Sequence, residues 1–529
     1  MDSPPPQASA WRQLMRKEIL ISEDQYESRC AILENGLLSE IYIERQNEQQ
    51  VLANIYKGRV DNVLPGMQIA FVEIGLEKHG FLHASDIEYS FEDIEDGDTS
   101  TKIHTDLDDS PPRRRRGKPE PAITDVIETG QEILVQVAKT AIGTKGARIT
   151  SSISLPGKYV VYLPTSSSVG ISRRIESAEE RQRLKDLVQS FRGDTAGGFI
   201  IRTAAEGKSE KNLSAEINYL LNIWKNINQK ANRIKAPSLV HRDLGFTERI
   251  IRDYFNSDVD ELIIDSKQQY DTAINYFTQL LPEFKSRVKL YKKKSISMME
   301  RFGVETGLKK ALGQKVWLRS GGYLVIEQTE AMVSIDVNTG KFTGENDADS
   351  TILAANLEAA EEIVRQMRLR DLGGIIVIDF IDMDRHEDRK KVYRGLQQEI
   401  KRDRAKTNIL RISELGLVEM TRQRTRPSIK NILTQICPYC DGHGFVLSVD
   451  TVVTNVLRAV KKVAWRSRKR AFKVIANELV VSRLLDRRSK LIQQLNQEMD
   501  LRLQIEGDID FHLEDYQIFD ECNRRMRLD

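Results

Sequence analysis

Two apolar runs that end in polar side chains stand out in this chain: Met332-Val333-Ser334-Ile335-Asp336-Val337-Asn338 and Ile375-Ile376-Val377-Ile378-Asp379. Each reads as a strand, and the second is apolar enough to predict a strand buried on both faces. Between them, apolar residues recur in steps of three and four, which predicts a helix over 350–372 with one buried face. These residues are Leu353, Leu357, Ala360, Val364 and Met367. Gly373-Gly374 is expected to end the helix.

This strand–helix–strand order predicts two parallel strands, because such crossovers are right-handed and return the chain in the same direction. Asp336 and Asp379 would then meet at the carboxyl edge of the sheet, where ligands of open α/β sheets bind. Asn338 faces the same side as Asp336, because strand side chains alternate. The same alternation turns Asp382 away from Asp379, which makes Asp382 a weaker candidate.

Two carboxylates and an amide oxygen suit a hard divalent cation, and Mg²⁺ is usually bound by one or two carboxylates with water and phosphate. A cation would also relieve the repulsion between the two carboxylates. The chemistry available to such a site is metal-assisted hydrolysis of a phosphodiester. The alternative is that both residues are ordinary strand-end aspartates that cap turns.

Length and composition predict a soluble chain of several domains. The chain has 529 residues, 40% of them hydrophobic, and 80 basic against 78 acidic residues give a net charge of +2. This balance excludes a uniformly basic nucleic-acid coat, so any such site must be a local cluster. The four cysteines exclude a disulfide scaffold. We expect no transmembrane segment and no signal peptide, and therefore a cytoplasmic protein.

Short strand patterns separated by turn residues predict a small barrel over 51–150. An acidic stretch followed by Arg113 to Arg116 interrupts the pattern, and its composition predicts a disordered insertion at 92–121.

Cys437-Pro438-Tyr439-Cys440 admits a redox dithiol or a zinc site. A redox dithiol would open a helix, whereas Asp441-Gly442-His443-Gly444 suits a knuckle. Zinc needs four ligands, and Cys30 and Cys522 are distant single residues. Two chains that each donate Cys437 and Cys440 would complete the site, with His443 as a substitute ligand.

The basic segment 457–473 carries eight Lys and Arg residues and no acidic residue. It predicts either a helix that binds RNA or another subunit, or a solvated helix face.

Several motifs together resemble the ribonuclease E/G family. They are Ser334-Ile335-Asp336-Val337-Asn338, Asn356-Leu357-Glu358-Ala359-Ala360, Arg368-Leu369-Arg370-Asp371-Leu372-Gly373-Gly374 and Val377-Ile378-Asp379-Phe380-Ile381-Asp382-Met383. The resemblance covers almost the whole chain. It implies that Asp336 and Asp379 bind Mg²⁺ with help from Asn338. It also implies internal cleavage of single-stranded RNA that leaves a 5′-phosphate on the downstream product.

The resemblance further implies an OB-type barrel that binds RNA and a pocket for a 5′-monophosphate. The RNA-binding residues would be Phe71, Phe81, Lys139 and Lys145. For Phe71, a place in the barrel core is the alternative. The phosphate pocket would contain Gly157, Val161, Arg173, Arg202, Thr203 and Lys406. Lys406 stands where the family has an arginine, so it keeps the charge and loses the planar fork. Zinc would link two subunits, giving a dimer at least, with a tetramer left open.

The expected architecture is an α/β multidomain protein. Its predicted parts are a flexible tail 1–17, an RNase H-like subdomain formed discontinuously by 18–50 and 240–311, the OB-type barrel 51–150, a 5′-sensor region 151–239, a DNase I-like catalytic domain 312–434, a zinc link 435–445 and a small α/β domain 446–529.

The expected function is a Mg²⁺-dependent endoribonuclease that acts in rRNA maturation and mRNA turnover and favours 5′-monophosphorylated RNA. The alternatives are a non-catalytic RNA-binding scaffold and a metal-dependent nuclease that acts on DNA.

Overall fold

A computed structural model describes residues 16–45, 51–87, 122–140, 146–166, 168–172, 174–192, 197–292, 295–340, 348–413, 416–424, 426–467, 469–487 and 489–526. Residues 1–15 of the expected tail, the predicted insertion 92–121, Lys145 and Arg173 lie outside these ranges. The chain divides into two compact units, 1–432 and 433–529, which are considered separately.

The strands, in chain order, are β1 Lys17–Glu23, β2 Glu27–Glu34, β3 Leu37–Arg45, β4 Ile55–Leu64, β5 Ile69–Glu73, β6 Gly80–His83, β7 Glu132–Lys139, β8 Arg148–Thr150, β9 Leu155–Pro156, β10 Val160–Leu163, β11 Val169–Ile171, β12 Gly198–Ile201, β13 Ser238–His241, β14 Glu261–Ile264, β15 Val288–Leu290, β16 Lys315–Trp317, β17 Tyr323–Gln328, β18 Met332–Asn338, β19 Gly374–Asp379, β20 Thr407–Ile409, β21 Leu417–Arg422, β22 Ala471–Ala476, β23 Arg502–Gly507 and β24 Tyr516–Asp520.

The helices are α1 Ala178–Arg192, α2 Glu210–Arg233, α3 Phe246–Tyr254, α4 Lys267–Leu280, α5 Met298–Arg301, α6 Val304–Leu312, α7 Ala348–Arg370, α8 His386–Ile400, α9 Ile429–Leu433, α10 Val449–Arg466, α11 Glu478–Arg487 and α12 Ser489–Met499. Among the described helices, none is long and apolar enough to cross a membrane.

The first sheet joins segments that are distant in sequence. Its order is β15-β14-β1-β2-β3, with β1, β14 and β15 parallel and β1, β2 and β3 antiparallel. The central strand β1 buries Ile19, Leu20 and Ile21 completely. Segments that precede the barrel in the sequence (β1 to β3) and segments that follow it (β14 and β15) therefore form one discontinuous α/β unit.

The predicted small barrel is present. Strands β4, β5, β6, β8 and β7 pair in that order, and β4 also pairs with β7, which closes the barrel. Its interior contains fully buried apolar side chains such as Ala70, Val72, Leu82 and Ile149. After the barrel, the region 151–239 contains a sheet in the order β11-β12-β10-β9.

The sheet that carries the aspartates has the order β16-β17-β18-β19-β21-β20. Strands β18 and β19 are parallel, as the crossover predicts. Val333, Ile335, Ile376 and Ile378 are buried in the core that α7 and α8 share with the sheet. The prediction that β19 is buried on both faces is wrong, because Ile375 is 50% exposed. The described helices cover one face of this sheet, and the other face is open.

Helix α7 ends earlier than its glycines predict. Arg370 is its last residue, and Asp371 has a left-handed φ of +50°. The Leu372 N–H then donates to the Met367 carbonyl at 3.0 Å, which is the capping bond of a Schellman motif. Asp371 tolerates this conformation because its carboxylate accepts bonds from Arg422 at 2.8 Å and Arg426 at 2.6 Å.

One arginine of α7 also anchors the helix to the first sheet. The buried Arg368 guanidinium donates to Glu34 at 2.7 Å and to Glu40 at 2.6 Å. Burial acts to raise the pKa of Glu40, but the charge of Arg368 outweighs it and lowers the pKa to about 2. Helix α7 therefore packs against the sheet of Asp336 and is also joined by ion pairs to the first sheet.

The unit 433–529 contains a small α/β domain. Its sheet has the order β23-β22-β24, with β22 parallel to β23 and antiparallel to β24. Helix α10 buries Val452, Val456 and Val460 and includes the first part of the basic segment 457–473. That segment thus lies on an amphipathic helix and the start of a strand.

We expect Asp371→Ala to lower the free energy of unfolding by about 3 kcal/mol, because it removes one of the two carboxylates that neutralise the buried Arg422, the other being Asp403, and also the carboxylate bonded to Arg426. Asp371→Asn should cost less, because asparagine tolerates the left-handed conformation and still accepts a hydrogen bond. The control is Asp271→Ala, which breaks an exposed pair with Lys267 and should change stability by about 0.5 kcal/mol or less. Urea unfolding measures all three, and equal effects of Asp371→Ala and Asp271→Ala would contradict this account.

Candidate active site

Asp336 and Asp379 are direct neighbours across two parallel strands. They are register partners at the ends of β18 and β19, and both side chains lie on the open face of the sheet. Adjacent strands are about 4.8 Å apart, so the two carboxylates are close enough to share one small cation. The structure therefore brings together the pair predicted from the sequence.

Asn338 is held beside Asp336. Its amide Nδ2 donates to Asp336 Oδ2 at 2.7 Å, which fixes the orientation of that carboxylate. Asn338 belongs to the same strand and the same face as Asp336, as alternation predicts.

Asp382, the weaker candidate, is close enough to Asp379 for its charge to act on that carboxyl group. Strand β19 ends at Asp379, so alternation no longer governs Asp382. Partial burial raises the pKa of Asp379, and the negative charges of Asp336 and Asp382 raise it further. Negative charge is therefore concentrated around Asp379 at one end of the open face.

This donor set fits a hard divalent cation. Among the described residues, no lysine or arginine forms an ion pair with Asp336, Asp379 or Asp382. No group of three or more His, Cys, Asp or Glu residues in the described ranges is arranged tightly enough to enclose a metal ion. Mg²⁺ usually binds to only one or two protein carboxylates, because waters and the substrate phosphate fill its other coordination positions.

Aromatic and basic side chains form one row across the outside of the barrel. Phe71 lies opposite Phe81, Phe81 is in register with Arg148, and Arg148 is in register with Lys139. Phe71 and Phe81 are half-buried and are not part of the described barrel core. The alternative that Phe71 is a core residue is therefore wrong.

Arg148 was missed by the sequence argument. Its guanidinium forms two bonds with Asp86, at 2.7 and 3.0 Å, which hold it beside Phe81. Arg148 lies beside Phe81 because β8 pairs with β6. This pairing exists only in the folded barrel, so no local sequence pattern marks the residue.

Arg202 and Gly157 meet at the end of β12. Arg202 Nη1 donates to the Gly157 carbonyl at 2.6 Å, and both terminal nitrogens donate to Asp253 at 3.0 Å. Burial acts to raise the pKa of Asp253, but Arg252 and Arg202 outweigh it and lower the pKa. Arg202 is therefore already paired with Asp253, a residue that the sequence analysis did not identify.

Of the remaining predicted pocket residues, Thr203 lies at the surface and Val161 is buried. Thr203 Oγ1 lies 3.0 Å from the Ser172 hydroxyl at the surface. The Val161 side chain is fully buried in β10, so only its backbone could face a ligand.

The turn at Gly157 is fixed from below by a buried carboxylate. Glu216 of α2 accepts the backbone N–H groups of Lys158, Tyr159 and Val160, at 2.5, 2.6 and 2.9 Å. A Cβ on Gly157 would lie 2.7 Å from the Glu216 carboxyl carbon, so this close approach requires glycine.

The segment of Lys406 contacts this region directly. Arg404 donates to the Asp253 carbonyl at 2.6 Å, and its guanidinium lies 4.4 Å from the Tyr254 ring centre. Arg174 in turn donates to the Arg404 carbonyl at 2.7 Å. Lys406 is exposed two residues further along, between this contact and β20.

In the unit 433–529, the cysteine pair has the geometry of a knuckle. The backbone N–H groups of Cys440 and Tyr439 donate to the Cys437 thiol and lower its pKa. The Gly444 N–H donates to Cys440 Sγ at 3.3 Å, and Gly442 and Gly444 have φ values of +85° and +80°. Helix α10 begins only at Val449, so the pair does not open a helix as a redox dithiol would.

Comparisons with known proteins identify the same segments. A model of the Ribonuclease E/G family matches residues 154–425, and a model of the RNase E/G thioredoxin-like domain matches residues 436–523.

Individual relatives extend the match over most of the chain. Ribonuclease G of Escherichia coli K12 is 42% identical over 470 residues, which cover 89% of this chain and 92% of that protein. Ribonuclease G of Haemophilus influenzae is 39% identical over 503 residues, covering 95% of this chain and 99% of that protein. Ribonuclease E of H. influenzae is 36% identical over 484 residues, which cover 91% of this chain and 49% of that protein.

Proposed function

Because the chain belongs to the ribonuclease E/G family, we propose that it is an endoribonuclease that cleaves single-stranded RNA with Mg²⁺ at Asp336 and Asp379. The observation that carries this proposal is the register pairing of these two carboxylates on the open face of the sheet. The expected products carry 5′-phosphates. The expected processes are rRNA maturation and mRNA turnover in the cytoplasm.

Each residue of the candidate site has a separate role in the proposed reaction. Asp336 and Asp379 would hold the cation, Asn338 orients Asp336, and Asp382 adds negative charge that strengthens cation binding. A bound divalent cation supplies charge neutralisation at the phosphate and activation of a water. Because partial burial and, after it, the charges of Asp336 and Asp382 raise the pKa of Asp379, this carboxylate is protonated more readily than an ordinary aspartate. Cation binding should therefore weaken as the pH falls through that raised pKa.

We expect Asp336→Asn and Asp379→Asn each to reduce cleavage more than about 100-fold, since metal-ion catalysis is worth several kcal/mol. RNA binding measured in chelator should stay within about twofold, because other surfaces supply that affinity. Glu327→Gln is the matched control, an exposed carboxylate on the same face that should retain activity.

Full activity of either aspartate variant would overturn the proposal. RNA binding by the wild type without metal-dependent products would favour the scaffold alternative, and preference for DNA in a competition would favour a DNA nuclease.

We assign RNA binding to the barrel, as an OB-type domain. Phe71 and Phe81 would stack on unpaired bases, while Arg148 and Lys139 hold the backbone. The first sheet has three antiparallel strands and two further parallel strands, which supports an RNase H-like subdomain. We assign the sheet that carries Asp336 to a DNase I-like catalytic domain.

We assign recognition of a 5′-monophosphate to the surface of Arg202, Thr203 and Lys406. Arg202 and the Thr203 hydroxyl offer charge-assisted and neutral donors, and Lys406 adds an exposed cation. The Arg404–Asp253 contact joins this surface to the sheet that carries the aspartates.

Lys406→Ala should reduce the preference for monophosphate over hydroxyl 5′ ends by about tenfold, the value of one charged hydrogen bond. Lys406→Arg should increase it, because the planar fork binds two phosphate oxygens. Cleavage rates on matched oligonucleotides measure the ratio, and the hydroxyl-ended substrate is the internal control. An unchanged ratio in Lys406→Ala would exclude Lys406 from the pocket.

We assign zinc to the Cys437–Cys440 knuckle, shared by two chains. The N–H donors that lower the pKa of Cys437 stabilise its thiolate, which is the form that binds zinc. One chain supplies two of the four ligands that a structural site requires, so a second chain completes it. This gives a dimer, which a further contact could extend to a tetramer.

Removing zinc with a chelator should convert the dimer to a smaller species in native mass measurement, with one zinc lost for every two chains. Cys437→Ser should give the same result, whereas Cys522→Ser should keep the mass and the metal, because this exposed cysteine lies outside the knuckle. A chelated protein of unchanged mass would contradict shared zinc.

A further inference from the structure

An exposed aromatic pair lies at the edge of the sheet that carries the aspartates. Trp317 of β16 is 63% exposed, and its ring centre is 5.3 Å from that of Tyr323 on β17, in an edge-to-face arrangement. Lys315 Nζ lies 4.3 Å from the Trp317 ring centre and 3.4 Å from the Tyr323 ring centre. Despite the contact with Lys315, most of the Trp317 surface faces solvent.

This cluster is continuous with the catalytic carboxylates. Tyr323 is the register partner of both Trp317 and Asn338. In the adjacent row, Lys315 pairs with Val325, which pairs with Asp336, the partner of Asp379. The aromatic pair therefore lies on the same open face, with Lys315 two strands, or about 10 Å, from Asp336.

The cluster is also held in place. Glu358 of α7 accepts the N–H groups of Arg319 at 2.6 Å and Ser320 at 3.2 Å, which fixes the loop between β16 and β17. At Gly322, a Cβ would lie 2.7 Å from the Asn338 carbonyl oxygen, so the loop packs tightly against the end of β18. The ring positions are thus set by the same strand that carries Asp336 and Asn338.

We propose that Trp317 and Tyr323, together with Lys315, bind one unpaired nucleobase of the RNA next to the scissile linkage. The inference rests on the proposed function. Every base has a π face, so an exposed tryptophan stacks on any unpaired base, and a neighbouring lysine supplies the phosphate contact that usually accompanies stacking. Lys315 also brings positive charge to an end of the sheet dominated by carboxylates, which favours the approach of a polyanion.

The consequence is a local specificity for unpaired RNA. A base inside a duplex cannot offer its face to Trp317, so structured RNA would lose this contact. The surface thus selects single-stranded positions at the site of cleavage, separately from any selection by the barrel or the 5′ end.

The test uses the full-length protein with Mg²⁺ and a series of single-stranded oligonucleotides that share one cleavage site. Each carries one abasic nucleotide at a successive position on either side of the scissile linkage. The proteins are the wild type, Trp317→Ala, Trp317→Phe and, as a control, Tyr26→Ala, which removes an exposed aromatic side chain from the turn between β1 and β2.

For the wild type, we expect one abasic position near the linkage to lower kcat/KM about tenfold, the scale of base–aromatic stacking. Trp317→Ala should cut the intact substrate about tenfold more slowly and show no further loss with that abasic substrate. Trp317→Phe should restore most of the wild-type pattern, and Tyr26→Ala should show the wild-type pattern unchanged.

A wild type that cleaves every abasic substrate equally well, or a Trp317→Ala variant that keeps the abasic pattern, would overturn the inference. A change in native mass caused by Trp317→Ala would also overturn it, by assigning this surface to a second copy of the chain. Failure of the wild type to cleave the intact oligonucleotide would instead count against the proposed function.

Discussion

Two carboxylates placed side by side at one end of a sheet repel each other, and the candidate site is arranged around this pair. Parallel pairing of β18 and β19 places Asp336 beside Asp379, and the end of β19 brings in Asp382. No basic side chain of the described ranges forms an ion pair with them. The proposed binding of a cation, and with it the proposed phosphodiester chemistry, depends on this arrangement.

One-sided burial makes this site accessible. Helices α7 and α8 cover one face of the sheet and leave Ile375, Asp336 and Trp317 on the other. A conventional doubly covered α/β sheet would restrict access to its edge, whereas here a polymer can lie across the whole face. In the proposed function, the aromatic side chains of the barrel and of Trp317 would bind bases, while a cation at Asp336 and Asp379 would act on the backbone.

The sequence predicted the parts of this site that depend on local periodicity. Apolar spacing identified α7 and its flanking strands, and the crossover rule paired Asp336 with Asp379. Sequence-based prediction failed where tertiary contacts decide the conformation. Asp371, not Gly373-Gly374, ends α7, because Arg422 and Arg426 stabilise its left-handed backbone. Asp382, Asp253 and Arg148 gain their neighbours only in the folded chain, so no local pattern could have marked them.

Helix α7 links two cores through Arg368, whose buried guanidinium is neutralised by Glu34 and Glu40 of the first sheet. Detaching the helix would expose the apolar face of the β16–β21 sheet and leave an uncompensated charge against β2 and β3 in the same event. The two sheets should therefore unfold as one cooperative block despite their separation in sequence. Amide hydrogen exchange would show this as a common opening free energy for β3 and β18.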